Sequence, residues 1–308
     1  MALDLVQRNL LKEVAGIESV PEGAFSVRLD GELYDRNNTA TVQIVSKKDK
    51  PGIDIFIKKS DKQERVDIPV IITKSGLKDL VYNDFYVEDG ADVMIVAGCG
   101  IHNSGELKSE HNGIHSFHIG KKAKVIYIEK HYGGGDGSGK RVLNPQTIIN
   151  VDDGGYLEMQ TAQIKGVDDS DRKTYAKLAK DAVLIIKESI LTHNDQQATT
   201  DFIVDLDGEN SSCHVTSRSV CKDNSKQEYI SQINGNNKCS GHTECDAIIM
   251  NNGRVNAVPK VCANHIEASL IHEAVIGKIA GEQLIKLMTL GLSEKEAEEQ
   301  IVNGFLKW

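Results

Sequence analysis

Aromatic side chains are scarce in this 308-residue chain, at 5%, and there is one tryptophan, Trp308. That scarcity argues against a sugar-binding groove lined with stacking rings. It also argues against a surface that holds single-stranded nucleic acid by stacking. No dense Lys/Arg tract is present, and the net charge of −9 with a pI near 5.6 adds to the case against nucleic acid as a partner. No apolar run reaches the roughly 18 residues of a membrane-spanning helix. The first residues, Met1-Ala-Leu-Asp4-Leu-Val-Gln-Arg8, carry charges where a secretory signal would be apolar, so a cytoplasmic location is expected. The six cysteines (99, 213, 221, 239, 245 and 262) form no Cys-x-x-Cys pair and are too dilute for a disulfide framework. Free thiols in a reducing compartment are expected.

What is present divides into three textures. Residues 2–16 place Leu3, Leu5, Val6, Leu10, Leu11 and Val14 at helical spacing, with Gly16 suited to the helix end. From about 24 to 264, short alternating segments such as Thr41-Val-Gln-Ile-Val and Val125-Ile-Tyr-Ile recur between Gly, Asp, Asn and Ser turns, which is strand sequence. One stretch, Asp171–Lys180, has helical character or forms a long excursion between strands. The segments at Ala91, Ala123 and Gly155 recur at 32 residues, followed by Ala182 after 27 and Ser212 after 30. Units of that size cannot bury an apolar face alone and are expected to stack, as a parallel β-helix or, in competition, a β-sandwich. After 264 the period turns helical. Ile276, Ile279, Leu284, Leu287 and Met288 suggest one helix ending near Gly291. Ser293 with Glu296 reads as a capping box for a second, whose apolar face is Ala297, Ile301, Val302 and Phe305. The expected divisions are an N-terminal helix over 1–20, a β body over 21–264 and a C-terminal helical hairpin over 265–308.

Three motifs resemble chemistry and fail on detail. Gly134-Gly-Asp-Gly-Ser-Gly139-Lys140 has phosphate-loop spacing, but Arg141 stands where Ser or Thr would hold magnesium, and no helix follows. No intact phosphate loop means no ATPase activity is expected of this chain. His272-Glu273 suggests a zinc protease helix, but Ile276 occupies the place of the second histidine. His111, His115 and His118 are closely spaced, but only alternate residues of a strand share a face.

The densest chemistry lies between His242 and Phe305. Cys245 sits in His242-Thr-Glu-Cys245-Asp246-Ala247, followed by His265-Ile-Glu267 and His272-Glu273-Ala274. Thiol, imidazole and carboxylate are the donor types of iron and iron–sulfur ligand sets. Taken alone, Cys245 also reads as a small core residue, and His272-Glu273 as a helix start.

These pieces together resemble the SufB/SufD family of the SUF iron–sulfur cluster assembly system. They are His242 to Ala247, His272 to Ala274, Glu282 to Leu284, Gly291 to Ala297 and Ile301 to Phe305. The likeness is specific over the last sixty or so residues and weaker back to about residue 85. The resemblance implies a right-handed parallel β-helix followed by C-terminal helices. It implies a non-enzymatic scaffold on which iron and sulfur are combined into a transient cluster, at a site between two β-helix subunits. A SufC-type ABC ATPase would bind the helices around Ile301, Asn303, Gly304 and Phe305. A cysteine desulfurase system would donate sulfur, and apo-proteins would receive clusters. The implied cluster or iron ligands are Cys245, His272 and Glu273. The family's Glu-His-Glu is Ile271-His272-Glu273 here, so Glu267 and His265 are further candidates. Val96-Ala-Gly-Cys99 resembles the sulfur-accepting turn, with Glu129 and His131 on the transfer path. A short member of a single type is expected to serve both subunit roles as a homodimer. The alternatives are a SufD-like partner subunit without its own cluster, a carbohydrate-active β-helix enzyme, and an interaction module without metal.

Overall fold

The computed structural model describes residues 3–17, 21 and 23–306. Ala2, residues 18–20 and residues 307–308, at the limits of the expected helical segments, lie outside the described residues. The first helix, α1 (Leu5–Ala15), is closed at both ends by its own sequence. Gln7 N donates to Asp4 Oδ1 at 2.8 Å and Asp4 N donates to Gln7 Oε1 at 3.0 Å, a reciprocal cap. Gly16 ends the helix in the left-handed conformation, at φ 69°.

The body opens with two antiparallel hairpins, β1 (Ala24–Leu29) with β2 (Glu32–Asn37) and β3 (Val42–Ser46) with β4 (Gly52–Ile57). Every later pairing is parallel. The strands are β5 (Glu64–Ile72), β6 (Lys78–Val87), β7 (Asp92–His102), β8 (Ser109–Ile119), β9 (Lys124–Gly134), β10 (Arg141–Leu143), β11 (Gln146–Val151), β12 (Tyr156–Lys165), β13 (Asp169–Leu178), β14 (Val183–Thr192), β15 (Gln197–Leu206), β16 (Ser212–Cys221), β17 (Lys226–Gly235), β18 (Cys239–Ile249), β19 (Arg254–Ala263) and β20 (Ala268–Gly277). They wind into a β-solenoid of about 8 turns. One sheet runs β2-β1-β5-β7-β9-β12-β14-β16-β18-β20, the other β19-β17-β15-β13-β10-β8-β6-β4-β3, with β11 between β8 and β13. Each turn of the coil gives one strand to each sheet, and the apolar residues fill the space between.

Alternation and register together make columns. Asp92, Lys124, Tyr156, Val183, Ser212, Ser240 and Ser269 stack in successive rungs of the first sheet. This confirms the repeat and moves its phase by one residue at the 182–212 step. Inward columns are apolar for most of their length: Phe85 and Phe117 stack at 4.4 Å, with Tyr127 edge-on to both. The corners repeat too. Lys122, Asp181 and Asn210 adopt φ of 55°, 55° and 59° at matching corners, where Gly90 and Gly154 do the same at 67° and 65°. Asx residues tolerate that conformation, which accounts for the Asn, Asp and Gly punctuation. Asparagine side chains bond from coil to coil, as from Asn264 to Asn236 at 2.8 Å and from Asn236 to Asp207 at 2.7 Å.

Two expectations are corrected. Asp171–Lys180 is neither helix nor excursion: residues 171–178 belong to β13, where Arg172, Thr174, Ala176 and Leu178 alternate inward, and 179–180 enter the next turn. Its Ala and Lys content favours helix, but the parallel ladders on both sides outweigh that preference. The solenoid also continues past 264. His272, Glu273 and Ile276 lie in β20, a rung paired with β18, rather than in a helix. Helix returns as α2 (Gly281–Met288) and α3 (Glu294–Leu306). The Ser293–Glu296 box caps α3: Glu296 N donates to Ser293 Oγ at 3.3 Å and Ser293 N to Glu296 Oε2 at 2.8 Å. Val302 and Leu306 bury against Val220, while α2 buries no residue. Among the described residues no helix is long and apolar enough to cross a membrane.

α1 lies directly on the outer face of the first sheet, with Leu10 and Leu11 against Ile71 and Val14 against Val96. Gly98 makes this approach feasible, because a Cβ there would stand 2.7 Å from the backbone oxygens of both Val14 and Lys130. Gly98→Ala is therefore expected to push α1 off the sheet and to destabilise the chain by about 1–3 kcal/mol. The measurement is a lowered Tm together with faster amide exchange over residues 5–15.

Candidate functional site

The inner face of the first sheet carries a polar column through the otherwise apolar core. Ala97, Glu129, Thr161, Glu188, Ser217, Cys245 and Ala274 occupy one position in seven consecutive rungs. Beside it run Cys99, His131 and Gln163. Parallel rungs are about 4.8 Å apart, so Cys99 and Cys245, five rungs apart, are separated by about 24 Å along the axis.

Arg172 of β13 reaches across from the second sheet and holds the column together. Its NH1 donates to Glu129 Oε2 at 2.7 Å, its NH2 to His131 Nδ1 at 3.2 Å, and its Nε lies 3.3 Å from Glu188 Oε1. His131 thus accepts at Nδ1 and points Nε2 toward Glu129 Oε1, 3.6 Å away. On the far side, Tyr127 donates to Glu129 at 3.0 Å and stands 2.8 Å from His115 Nδ1. Burial by itself would raise the Glu129 pKa, but His131 and Arg172 hold it well below the usual carboxylate range. Glu188 goes the other way: burial raises it, and Arg172, Ser217 and Thr200 only partly oppose that. Ser217 Oγ donates to Glu188 Oε2 at 2.9 Å and Thr200 Oγ1 to Oε1 at 3.1 Å. Two carboxylates on one guanidinium are thereby driven apart in acidity. Thr161 Oγ1 and Gln163 Nε2 face this column buried and without a hydrogen-bond partner.

Cys99 and Cys245 cap the two ends. Each is 2% exposed. Burial, with Asp79 and Glu129 adding to it, pushes the Cys99 thiol well up. Burial and then Glu188 push the Cys245 thiol up to about 12. Both therefore rest as neutral thiols, and a metal or a positive charge is needed to make a thiolate of either. Cys99 borders a small cavity with His111, His115, Glu129 and His131.

At the last rungs, the residues expected to act together separate by face. His272 stacks on Thr243, inward, while Cys245 stacks under Ala274, so thiol and imidazole share the inner face at neighbouring positions. His272 Nδ1 is buried without a hydrogen-bond partner. Burial, and then His242, lower the His272 pKa, which keeps the ring neutral and able to ligate. Glu273 stacks on Glu244 and turns outward, with its side chain 65% exposed. His265 and Glu267 lie in the turn that opens β20, where Glu267 N donates to His265 Nδ1 at 3.1 Å and Lys238 is 3.7 Å from the Glu267 carboxylate. The structure does not bring that pair to Cys245.

The SUF system FeS cluster assembly SufBD core domain matches residues 80–305. The chain belongs to the SufBD family. An iron–sulfur cluster assembly SufBD family protein of Methanocaldococcus jannaschii is 32% identical over 76% of this chain and 74% of its own length. One from Archaeoglobus fulgidus is 30% identical over 79% of this chain and 65% of its own length. The iron–sulfur cluster assembly protein SufB of Bacillus subtilis is 36% identical over a shorter stretch, 32% of this chain and 22% of its own. This SufBD protein is thus a member of a family involved in iron–sulfur cluster assembly. Thiol and imidazole, the donor types at the open end, are those found in iron and iron–sulfur ligand sets.

Sequence reasoning had located Cys99, Glu129, His131, Cys245 and His272 but not Arg172 or Glu188, the residues that link them. Arg172 sat in the stretch read as helical. Glu188 sat in Leu184-Ile-Ile-Lys-Glu-Ser-Ile, where strict alternation places a carboxylate among inward residues. That inward charge was the available signal.

Arg172→Met leaves Glu129 and Glu188 buried without their cation. At pH 7 this is expected to destabilise the protein by about 3–5 kcal/mol. The Glu129 carboxylate, with its folded pKa depressed, contributes stability above the unfolded pKa that is lost as pH falls through the folded one. The Glu188 shift has the opposite sign: its contribution is full below the unfolded pKa and is lost as pH rises through the raised folded one. The gap between variant and wild type should accordingly narrow from pH 7 to pH 4, as the carboxylates of the variant take up protons. Urea unfolding of both proteins at the two pH values measures it.

Proposed function

We propose that this SufBD protein is a SufB-like scaffold on which iron and sulfur are joined at the open end of the coil, between two copies of the chain. The observation that carries the reading is the inner polar column from Cys99 and His131 through Glu129, Arg172 and Glu188 to Ser217 and Cys245. A structural core has no need of His131, Glu129, Arg172 and Glu188 in one network, and buried charge is costly. A path for sulfur from Cys99 to Cys245 gives them a role: Arg172 balances the charge of an anionic sulfur species, and Glu188 takes or returns the proton that Cys245 exchanges on binding iron. Cys245 and His272 would hold the iron. Glu273, facing outward, would enter the ligand set only after the last rung twists. One thiolate with imidazole holds iron less firmly than four thiolates, which suits a scaffold that gives its product away.

Two features support the partners. β20 and β19 end their sheets and leave a row of backbone donors and acceptors open to a second strand. Ile271, Val275 and Val261 lie exposed beside that edge, so a second copy of the coil is the fitting occupant. The C-terminal helices divide their work. α3 spends Val302 and Leu306, with part of Phe305, on the solenoid, and leaves Asn303 and Gly304 exposed. α2 leaves Ile285 63% and Met288 42% exposed. We assign the SufC-type ATPase to this surface of α2 together with the outer side of α3. Its nucleotide-driven motion would open and close the end of the coil through β20. The protein itself acts as a scaffold, with a cysteine desulfurase system upstream and apo-proteins downstream, in the cytoplasm.

Anaerobic reconstitution with ferrous iron and sulfide tests the site. Wild type is expected to develop a visible iron–sulfur chromophore and Cys245→Ser to lose it while keeping the folded circular dichroism spectrum. Equal cluster yield in the two proteins would refute the assignment. Ile285→Asp is expected to reduce copurification of the ATPase at least about tenfold while leaving the solenoid Tm within about a degree, because an exposed substitution removes no core contact.

A further inference from the structure

The outer face of the first sheet carries a second set of donors that the interior column does not use. β16 presents His214 and Thr216, β18 presents His242 and Glu244, and β20 presents Glu273. Register stacks His214 on His242, and Thr216, Glu244 and Glu273 in the next column. The two imidazoles lie nearly parallel, with centroids 4.8 Å apart at 11°. His214 Nε2 is 2.9 Å from Glu244 Oε1. His242 Nε2 is 3.8 Å from Glu244 Oε1 and 3.8 Å from Glu273 Oε2. One donor atom from each of His214, His242 and Glu244 falls within 4.8 Å of the others. His242 Nε2 is itself buried and has no hydrogen-bond partner. A surface ion pair does not ordinarily leave an enclosed ring nitrogen unsatisfied, and such an atom calls for a ligand.

We propose that His214, His242 and Glu244, with Glu273 as a fourth donor, bind one divalent transition ion of the Fe2+, Co2+ and Zn2+ class on the outer wall of the solenoid. Imidazole and carboxylate in this ratio suit those ions and disfavour Ca2+ or Mg2+, which take oxygen sets. Donors sharing a tetrahedral ion at about 2.1 Å stand about 3.4 Å from one another, so small rotations of His242 and Glu273 close the set. The site is separate from the thiol: Glu244 and Cys245 are consecutive and therefore point to opposite faces of the sheet. Its one overlap with the scaffold reading is Glu273, which the cluster would take only after the last rung twists; His214, His242 and Glu244 belong to the outer site alone. Access is provided by a groove of about 930 Å³ that His214 and Glu244 line, bounded by Lys12 of α1 and Leu306 of α3. Lys187, a cation in that groove, is held by Glu158 at 2.7 Å, which lowers its repulsion of an incoming ion.

The test is an anaerobic Co2+ titration of the full chain, read by absorbance, with wild type, His214→Ala, His242→Ala and Cys245→Ser. Wild type is expected to bind at least one Co2+ per chain with ligand-field bands that persist in Cys245→Ser, any sulfur-to-cobalt charge-transfer band reporting on the interior thiol alone. Each histidine variant should weaken binding by about tenfold or more, and Cys245→Ser should leave it unchanged. His214 is half exposed, so its removal is compatible with folding, and circular dichroism of each variant checks this. Absence of stoichiometric cobalt would overturn the proposal. So would a charge-transfer band lost in Cys245→Ser while both histidine variants bind like wild type. Cluster yield in Cys245→Ser reports on the interior site alone, so the two assignments fail independently.

Discussion

Parallel register is the constraint on which everything else in this molecule depends. Each rung hydrogen-bonds to the next with side chains in step, so a residue's neighbours are the residues at its own position one coil before and one coil after. Side-chain alternation then sorts every column to the inside or the outside. An apolar column makes core, and a column of mixed polar residues makes a buried hydrogen-bonded network. The architecture turns a one-dimensional sequence with a period near thirty residues into a set of parallel tracks.

Arg172 shows what such a track demands. A guanidinium buried beside two carboxylates is held by charge and hydrogen bonds rather than by hydrophobic burial, and its loss is far more damaging than its presence is stabilising. The solenoid accepts this because its remaining columns are apolar and form one cluster from Ala24 to Cys245. The buried charges sit in the middle of the coil, where the core on either side is complete. Cys245 sits near the end, where β20 is half covered and movement is easiest. A rigid middle and a yielding terminus are thus successive parts of one sheet.

Outer and inner faces of β18 and β20 carry different donors for the same reason. His242 and Glu244 alternate with Thr243 and Cys245, so two ligand groups back onto a single sheet without sharing a side chain. α1 and α3 leave the outer groove open between them, so the outer donors meet solvent while the inner ones meet the core.

Much of this was legible in the residues alone. The first helix, read over 2–16 with Gly16 at its end, the strand segments, the repeat, the Ser293–Glu296 cap and the family motifs around Cys245 and His272 all rest on local chemistry: a side chain bonding three residues away, apolar alternation, a glycine at a positive φ. Those properties are written within a few consecutive positions. What the tertiary structure decided were relations between coils. Arg172 became a strand residue because ladders on both sides outweigh the helix preference of its neighbours. Glu188 joined Arg172 because their rungs coincide across the core. His272 stayed in the solenoid because β18 offers it a partner, and Glu273 turned away from Cys245 because adjacent residues of a strand face opposite ways. Sequence carries the period and the chemistry of each position, but the register between residues thirty apart is set by how the coils stack.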